Sequence, residues 1–174
     1  MDPSFNILEL PCLNTLTFGH RLDNLHALLA RSGRLTTLIL NNIDLDEPAD
    51  TTQLLKAVPS LESLSTLDAY IEKHFFTLLG STTPTASGDS KPTYLPCLQY
   101  LSLSDKSDLD WNSVLNVFPT TLQAHNANCR RRPLKSLTIE VDEDEDEDGH
   151  FIGEEVLNRL LELTSPSSAK MKLI

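Results

Sequence analysis

Asp144, Asp146 and Asp148 alternate with glutamates, Gly149 follows, and Glu155 lies seven residues beyond Asp148. Numbered from Asp144, these residues fill positions 1, 3, 5, 6 and 12 of a calcium-binding loop. In such a loop alternate carboxylates and a closing glutamate offer oxygen to a hard cation, and the glycine makes the sharp turn. The pattern lies in a run of seven consecutive acids, residues 142–148, and any such run satisfies an alternate-Asp spacing. A calcium hand also needs an entering helix, whereas the preceding LKSLTIEV has the composition of a strand. The expectation is a solvated acidic loop without metal, with a calcium-responsive module as the competing reading.

The other chemically capable residues do not assemble into a site along the chain. His20, His26, His74, His125 and His150 are scattered, with no Cys or carboxylate at ligand spacing, and are expected to be ordinary surface or half-buried histidines. Cys12, Cys97 and Cys129 are odd in number and lack a Cys-x-x-Cys pair, so reduced thiols are expected rather than a disulfide framework or a zinc site. Gly88-Asp89-Ser90 holds an acid beside a serine, but inside a Gly/Ser/Thr/Pro insertion where nothing rigid would aim it. There is no Gly-x-Ser-x-Gly, phosphate-binding glycine loop or His-Glu-x-x-His. Trp111 shares helical spacing with Val114 and Leu115, which predicts a core position rather than a stacking platform. The sequence thus predicts no enzyme and no cofactor.

Charge narrows the partners. The net charge is −11, and it falls to −4 once the seven-acid run is set aside. A body of that sign does not suit phosphate backbones, and the only basic cluster, Arg130, Arg131 and Arg132, is expected to be a solvated lead-in to a strand. No nucleic acid partner is expected. The opening residues have no basic n-region and no segment reaches the length of a membrane span, so no membrane is expected and the protein reads as intracellular, cytoplasmic or nuclear.

The elements that would position a binding surface appear once the chain is aligned with itself. LPCLNTLTF begins at Leu10 and LPCLQYLSL at Leu95. Each carries apolar residues at relative positions 1, 4 and 6: Leu13, Leu16 and Phe18, then Leu98, Leu101 and Leu103. Leu35, Leu38 and Leu40 repeat the beat, as do Leu134, Leu137 and Ile139, while Leu61 and Leu64 are followed by Thr66 in the third slot. Prolines 11, 59, 96 and 133 stand just before four of these five units, where a residue without an N–H is tolerated at a strand start. Between the units the period changes to that of a helix: Leu22, Leu25, Leu28 and Leu29; Leu54, Leu55 and Val58 behind an Asp50 or Thr51 cap; Ile71, Phe75, Leu78 and Leu79; Trp111, Val114, Leu115 and Phe118; Val156, Leu157, Leu160 and Leu161.

Strand and helix in alternation predict an α/β fold with parallel strands. The residues between the apolar slots are mostly small and polar, so one strand face should stay exposed instead of being covered as in a doubly wound sheet. Strands are predicted around Thr17, Ile39, Ser65, Ser102 and Thr138, and the alternation in KMKLI allows a sixth at the C-terminus. The beat, with its following helices, resembles a leucine-rich repeat. With the Leu-Pro-x-Leu starts and RRPLKSLTIEV, the chain resembles the repeat region of fungal F-box-like proteins. The resemblance implies a leucine-rich-repeat solenoid with a parallel concave sheet and convex helices, spanning 1–174 as a single domain. Its unit steps of 22, 26, 37 and 36 residues need insertions, expected as mobile loops at 80–93 and 142–149.

A solenoid of this kind is expected to be a non-catalytic protein-recognition module whose target the sequence does not identify. The outward positions that would carry binding are Thr15, Thr17, Thr37, Ile39, Asn41, Tyr100, Ser102, Ser136, Thr138 and Glu140, with Tyr100 and Ile39 as the large side chains among small ones. The narrower role implied by the resemblance is substrate recognition for an SCF-type ubiquitin ligase. The helical segment that docks the Skp adaptor in that family has no counterpart ahead of the first unit, so this chain alone is not expected to bind the adaptor.

Overall fold

The structure is a computed structural model, and it describes residues 14–19, 25–29, 32, 34–105, 110–117, 132–141, 152–164 and 170–173. The acidic run, Gly149, His20, His125, His150, Cys12, Cys129, Arg130 and Arg131 lie outside the described residues.

The fold is mixed α/β with a largely parallel central sheet. Strands β1 (Thr15–Gly19), β2 (Thr37–Asn41), β4 (Ser63–Ile71), β7 (Tyr100–Asp105), β8 (Ser136–Val141) and β9 (Lys170–Leu173) lie side by side in chain order, and β3 (Asp44–Leu45) adds to β4. Every neighbouring pair in this sheet is parallel. Helices α1 (Leu25–Leu29), α2 (Pro48–Ala57), α3 (Lys73–Gly80), α4 (Trp111–Val114) and α5 (Glu154–Thr164) follow successive strands, with a 3₁₀ turn at Leu115–Val117 continuing α4.

The pairing register matches the self-alignment of the sequence. Thr15, Thr37, Ser63, Tyr100, Ser136 and Lys170 form one row across the sheet; Leu16, Leu38, Leu64, Leu101, Leu137 and Met171 form the next. The inward residues Leu38, Leu40, Leu64, Thr66, Ala69, Ile71, Leu101, Leu103, Leu137 and Ile139 of β2, β4, β7 and β8 are at most 3% exposed. They pack with Leu25, Leu29, Leu54, Leu55, Phe75, Phe76, Leu79, Val114 and Leu160 in one continuous core. Burial of this kind contributes about 1.5–3 kcal/mol per large apolar side chain, which is why the period-2 beat holds each strand to a single register. α1 packs on α2, α2 on α3, and α3 on α4 and the turn after it.

The start of each unit repeats one backbone pattern. Asn14 O accepts from the N–H groups of Thr36 and Thr37; Thr36 O from Glu62 and Ser63; Glu62 O from Gln99 and Tyr100; Gln99 O from Lys135 and Ser136. In three units the first Leu donates its N–H three residues back: Leu35 to Ser32, Leu61 to Val58, and Leu98 to Leu95. A second repeated device lies at the strand exits. Asn42 and Asp68, both seven residues after their unit's first Leu, have φ of 52° and 51°. Asn and Asp accept this left-handed conformation more readily than other side chains. Its effect is a change of parity. Up to Asn41 and Leu67 odd-numbered residues face outward, whereas beyond the turn Ile43, Leu45, Ala69 and Ile71 are buried and Asp44 and Tyr70 are exposed.

Several sequence expectations need correction. Ile71 shares helical spacing with Phe75 but ends β4, because the parity change carries the strand on to cover the core edge and α3 starts only at Lys73. Helix α2 starts at Pro48 with Glu47 at the N-cap, earlier than the Asp50 or Thr51 cap; Pro at the first helical position has no N–H to leave unpaired. The insertion at 80–93 is a hairpin of β5 (Thr82–Pro84) and β6 (Ser90–Pro92), turned at Gly88 with φ of 83°. Hydroxyls tie it where apolar burial cannot: Thr83 Oγ1 lies 2.7 Å from Thr93 Oγ1, and Thr85 Oγ1 donates to Asp89 O at 3.0 Å.

Arg132 departs furthest from expectation, since it is not a solvated lead-in. Its Nε donates to Leu95 O at 3.2 Å, one terminal nitrogen to Tyr94 O at 2.7 Å and also to Leu79 O, and the other to Val117 O at 3.4 Å. It joins the end of α3, the hairpin exit and the 3₁₀ turn. Leu95, whose φ of 45° strains a branched residue, is held by this contact. Burial lowers the guanidinium pKa to about 10, so it stays charged at neutral pH.

Candidate functional site

The outward face of the sheet is built from alternate strand positions, which the inward leucines fix by packing. The first outward row contains Thr15, Thr37, Ser63, Tyr100 and Ser136, and the second Thr17, Ile39, Ser65, Ser102 and Thr138. Asn41 lies opposite Leu67 in the third row, and Glu140 opposite Ser104. All ten residues singled out from sequence therefore fall on one face. Thr15, Thr17, Asn41, Tyr100 and Glu140 are exposed; Thr37, Ile39, Ser102, Ser136 and Thr138 are half-buried between their neighbours.

The face is paved by hydroxyl groups and interrupted by a few large side chains. Tyr100 is 45% exposed, and Lys135 Nζ stands 5.6 Å from its ring centre, a cation–π distance. Two further large residues escaped the sequence reading: Leu67 is 43% exposed and Tyr70 45%. Leu67 follows the unit's third slot, where the 1-4-6 pattern stops, and Tyr70 fell inside the apparent helical spacing that included Ile71. The clue available in the sequence was Asp68, aligned with Asn42 and equally suited to a left-handed turn.

The remaining candidates take structural places. His74 Nε2 lies 3.1 Å from Thr51 Oγ1. The Thr51 hydroxyl also lies 3.1 Å from Glu47 O, and the ring tautomer of His74 sets which group donates in the contact between them. This bond fixes α3 against α2. Trp111 is buried in the core. Cys97 is a free, exposed thiol, and Glu155 is exposed in the first turn of α5. Among the described residues no group of three or more His, Cys, Asp or Glu side chains could hold a metal ion, and no helix is long and apolar enough to cross a membrane.

No family model, curated protein or solved structure matches this chain.

Proposed function

We propose that this chain is a leucine-rich-repeat solenoid acting as a non-catalytic protein-recognition module, which binds its partner through the outward face of the parallel sheet. The observation that carries the reading is the face itself. Six strands stand in one register and in chain order, and in β2, β4, β7 and β8 the described inward residues are buried while the outward residues are exposed or half-buried. The repeated shared carbonyl at each unit start and the repeated left-handed residue at two strand exits support stacked equivalent units over a doubly wound sheet, whose second face helices would cover. A rigid sheet offers side chains at fixed spacing with little ordering left to do on binding, which favours recognition of a protein surface.

A photoreactive side chain placed at Ile39 or at Tyr100 should yield crosslinked adducts in cell extract. The same group at Gln53, exposed on α2, should not. Adducts formed from Gln53 and absent from the sheet positions would overturn the reading.

A further inference from the structure

The parity change at Asn42 and Asp68 creates a surface that the repeat pattern does not announce. It turns Tyr70 outward beside Leu67 on the same strand, so that two of the three exposed large hydrophobics among the described residues lie within four positions. Tyr70 pairs with Asp44 of β3, and Leu67 with Asn41 of β2. Ile39 lies diagonally from Leu67, one outward step back on β2, within reach of a long side chain. Natural sheets place such irregularities where a side chain has to be re-aimed.

Among the described residues, the segments flanking this pair in sequence are mostly acidic, with exposed Lys73 directly after Glu72. Asp44, Asp46, Glu47, Asp68 and Glu72 are all exposed. Residues 41–72 contain seven acidic residues against one lysine, Lys56 in the last turn of α2. This stretch carries −6, against −4 for the chain without its seven-acid run, so the rest of the body is +2. An apolar pair in such a field repels anionic partners and favours cationic ones, whose aliphatic stems can lie on Leu67 and whose charged heads can reach the carboxylates and the Tyr70 ring.

We infer that the strand-exit rim centred on Leu67 and Tyr70 docks a partner segment rich in lysine and arginine that also presents an apolar side chain. This rests on the proposal that the outward sheet face is a recognition surface, and it names both the place on that face and the partner's chemistry.

The test is fluorescence anisotropy of the full chain with three labelled peptides: lysine with leucine at every third position, lysine and glycine alone, and glutamate with leucine. The lysine–leucine peptide should bind, with affinity falling as salt rises from about 20 to about 300 mM, and the other two should bind at least about tenfold more weakly. Leu67→Ser with Tyr70→Ser should weaken it by about tenfold, and Asp44→Asn with Glu72→Gln should weaken it and flatten the salt dependence. Gln53→Ser, on exposed α2, and replacement of residues 142–148 by serine should leave it unchanged. The substituted positions among the described residues are exposed, and matching thermal melts establish that each variant is folded. The inference is overturned if the lysine–leucine peptide fails to bind, or if its binding follows the 142–148 run in place of the rim. Loss through Tyr100→Ser with the rim variants unaffected also overturns it, yet leaves the wider sheet-face reading standing; that reading fails separately, if crosslinkers at Ile39 and Tyr100 capture nothing.

Discussion

Thr66 is the one residue that interrupts an apolar slot of the repeat, and replacing it with valine should stabilise the protein. It pairs with Leu40 on one side and Leu103 on the other, in the row completed by Phe18 and Ile139. The side chain is 0% exposed and its hydroxyl has no hydrogen-bond partner among the described residues. An unpaired buried hydroxyl costs about 1–3 kcal/mol in desolvation. Valine keeps the β-branched shape and nearly the volume, so neither strand preference nor packing should oppose the change. A gain of about 1–2 kcal/mol is expected, since part of the penalty remains in any relaxed structure. For a chain of this size that corresponds to a rise in Tm of about 3–6 °C. Urea denaturation followed by circular dichroism should show a higher midpoint at unchanged slope. Thr66→Ser separates hydroxyl from methyl: it keeps the unpaired group and removes about 1 kcal/mol of apolar burial, so the stability order should be Val, Thr, Ser. A valine variant equal to or less stable than the parent would refute the reasoning, because it would mean that the hydroxyl is satisfied in solution, for instance by a buried water.

Arg132→Met should destabilise by about 2–4 kcal/mol, because it strands carbonyls of three elements, and Arg132→Lys should recover little, since an ammonium cannot reproduce the guanidinium fork. Burial lowers the Arg132 pKa to about 10, so the folded state gives up this proton before the unfolded state does; the resulting gain in stability begins only near pH 10, and the wild-type minus Arg132→Met difference in urea midpoint should be flat from about pH 5 to about pH 9. At φ of 52°, Asn42→Ala should cost about 1 kcal/mol while Asn42→Gly should be close to neutral, a contrast measurable by thermal melting. Micromolar calcium should leave the Tm unchanged; a rise abolished by Glu155→Gln would establish the calcium-loop reading of the acidic pattern.

Much of the sheet was legible because one physical signal dominates it. Leu35, Leu38 and Leu40 can be buried together on a strand only in one register, and the same beat at Leu98, Leu101 and Leu103 has the same solution, so aligning the sequence with itself aligned the strands in space. The signal fails where burial stops being periodic. Ile71 matched a helical spacing and an extended one equally well, and only the turn at Asp68 decides between them. The hairpin at 82–92 rests on hydroxyl and backbone bonds, which leave no hydrophobic pattern to read. Arg132 looked like one of three surface arginines because its partners are carbonyls at residues 79, 94, 95 and 117, distant in sequence and silent in composition.

The same contrast separates the parts of the outward sheet face. Its hydroxyl paving follows from the repeat, since every outward slot between leucines must be tolerated by a parallel neighbour in register, and threonine and serine fit such a surface. The rim does not follow from the repeat. Asn42 and Asp68 each accept a strained backbone angle, and a residue in that region persists only where the surrounding structure holds it. Here the holding is visible: Asn42 donates its N–H to Leu67 O at 2.8 Å, and Tyr70 donates to Ile43 O at 3.1 Å, so the two turns lock each other across the strands. The strain therefore buries Ile43, Leu45, Ala69 and Ile71 in the core and leaves Asp44, Leu67 and Tyr70 outside. If stability alone were at stake, a polar side chain at positions 67 and 70 would complete the pattern as well. Two large apolar residues exposed at this rim, with Asp44 paired to Tyr70, are what the proposed docking of a lysine- and arginine-rich segment would cover.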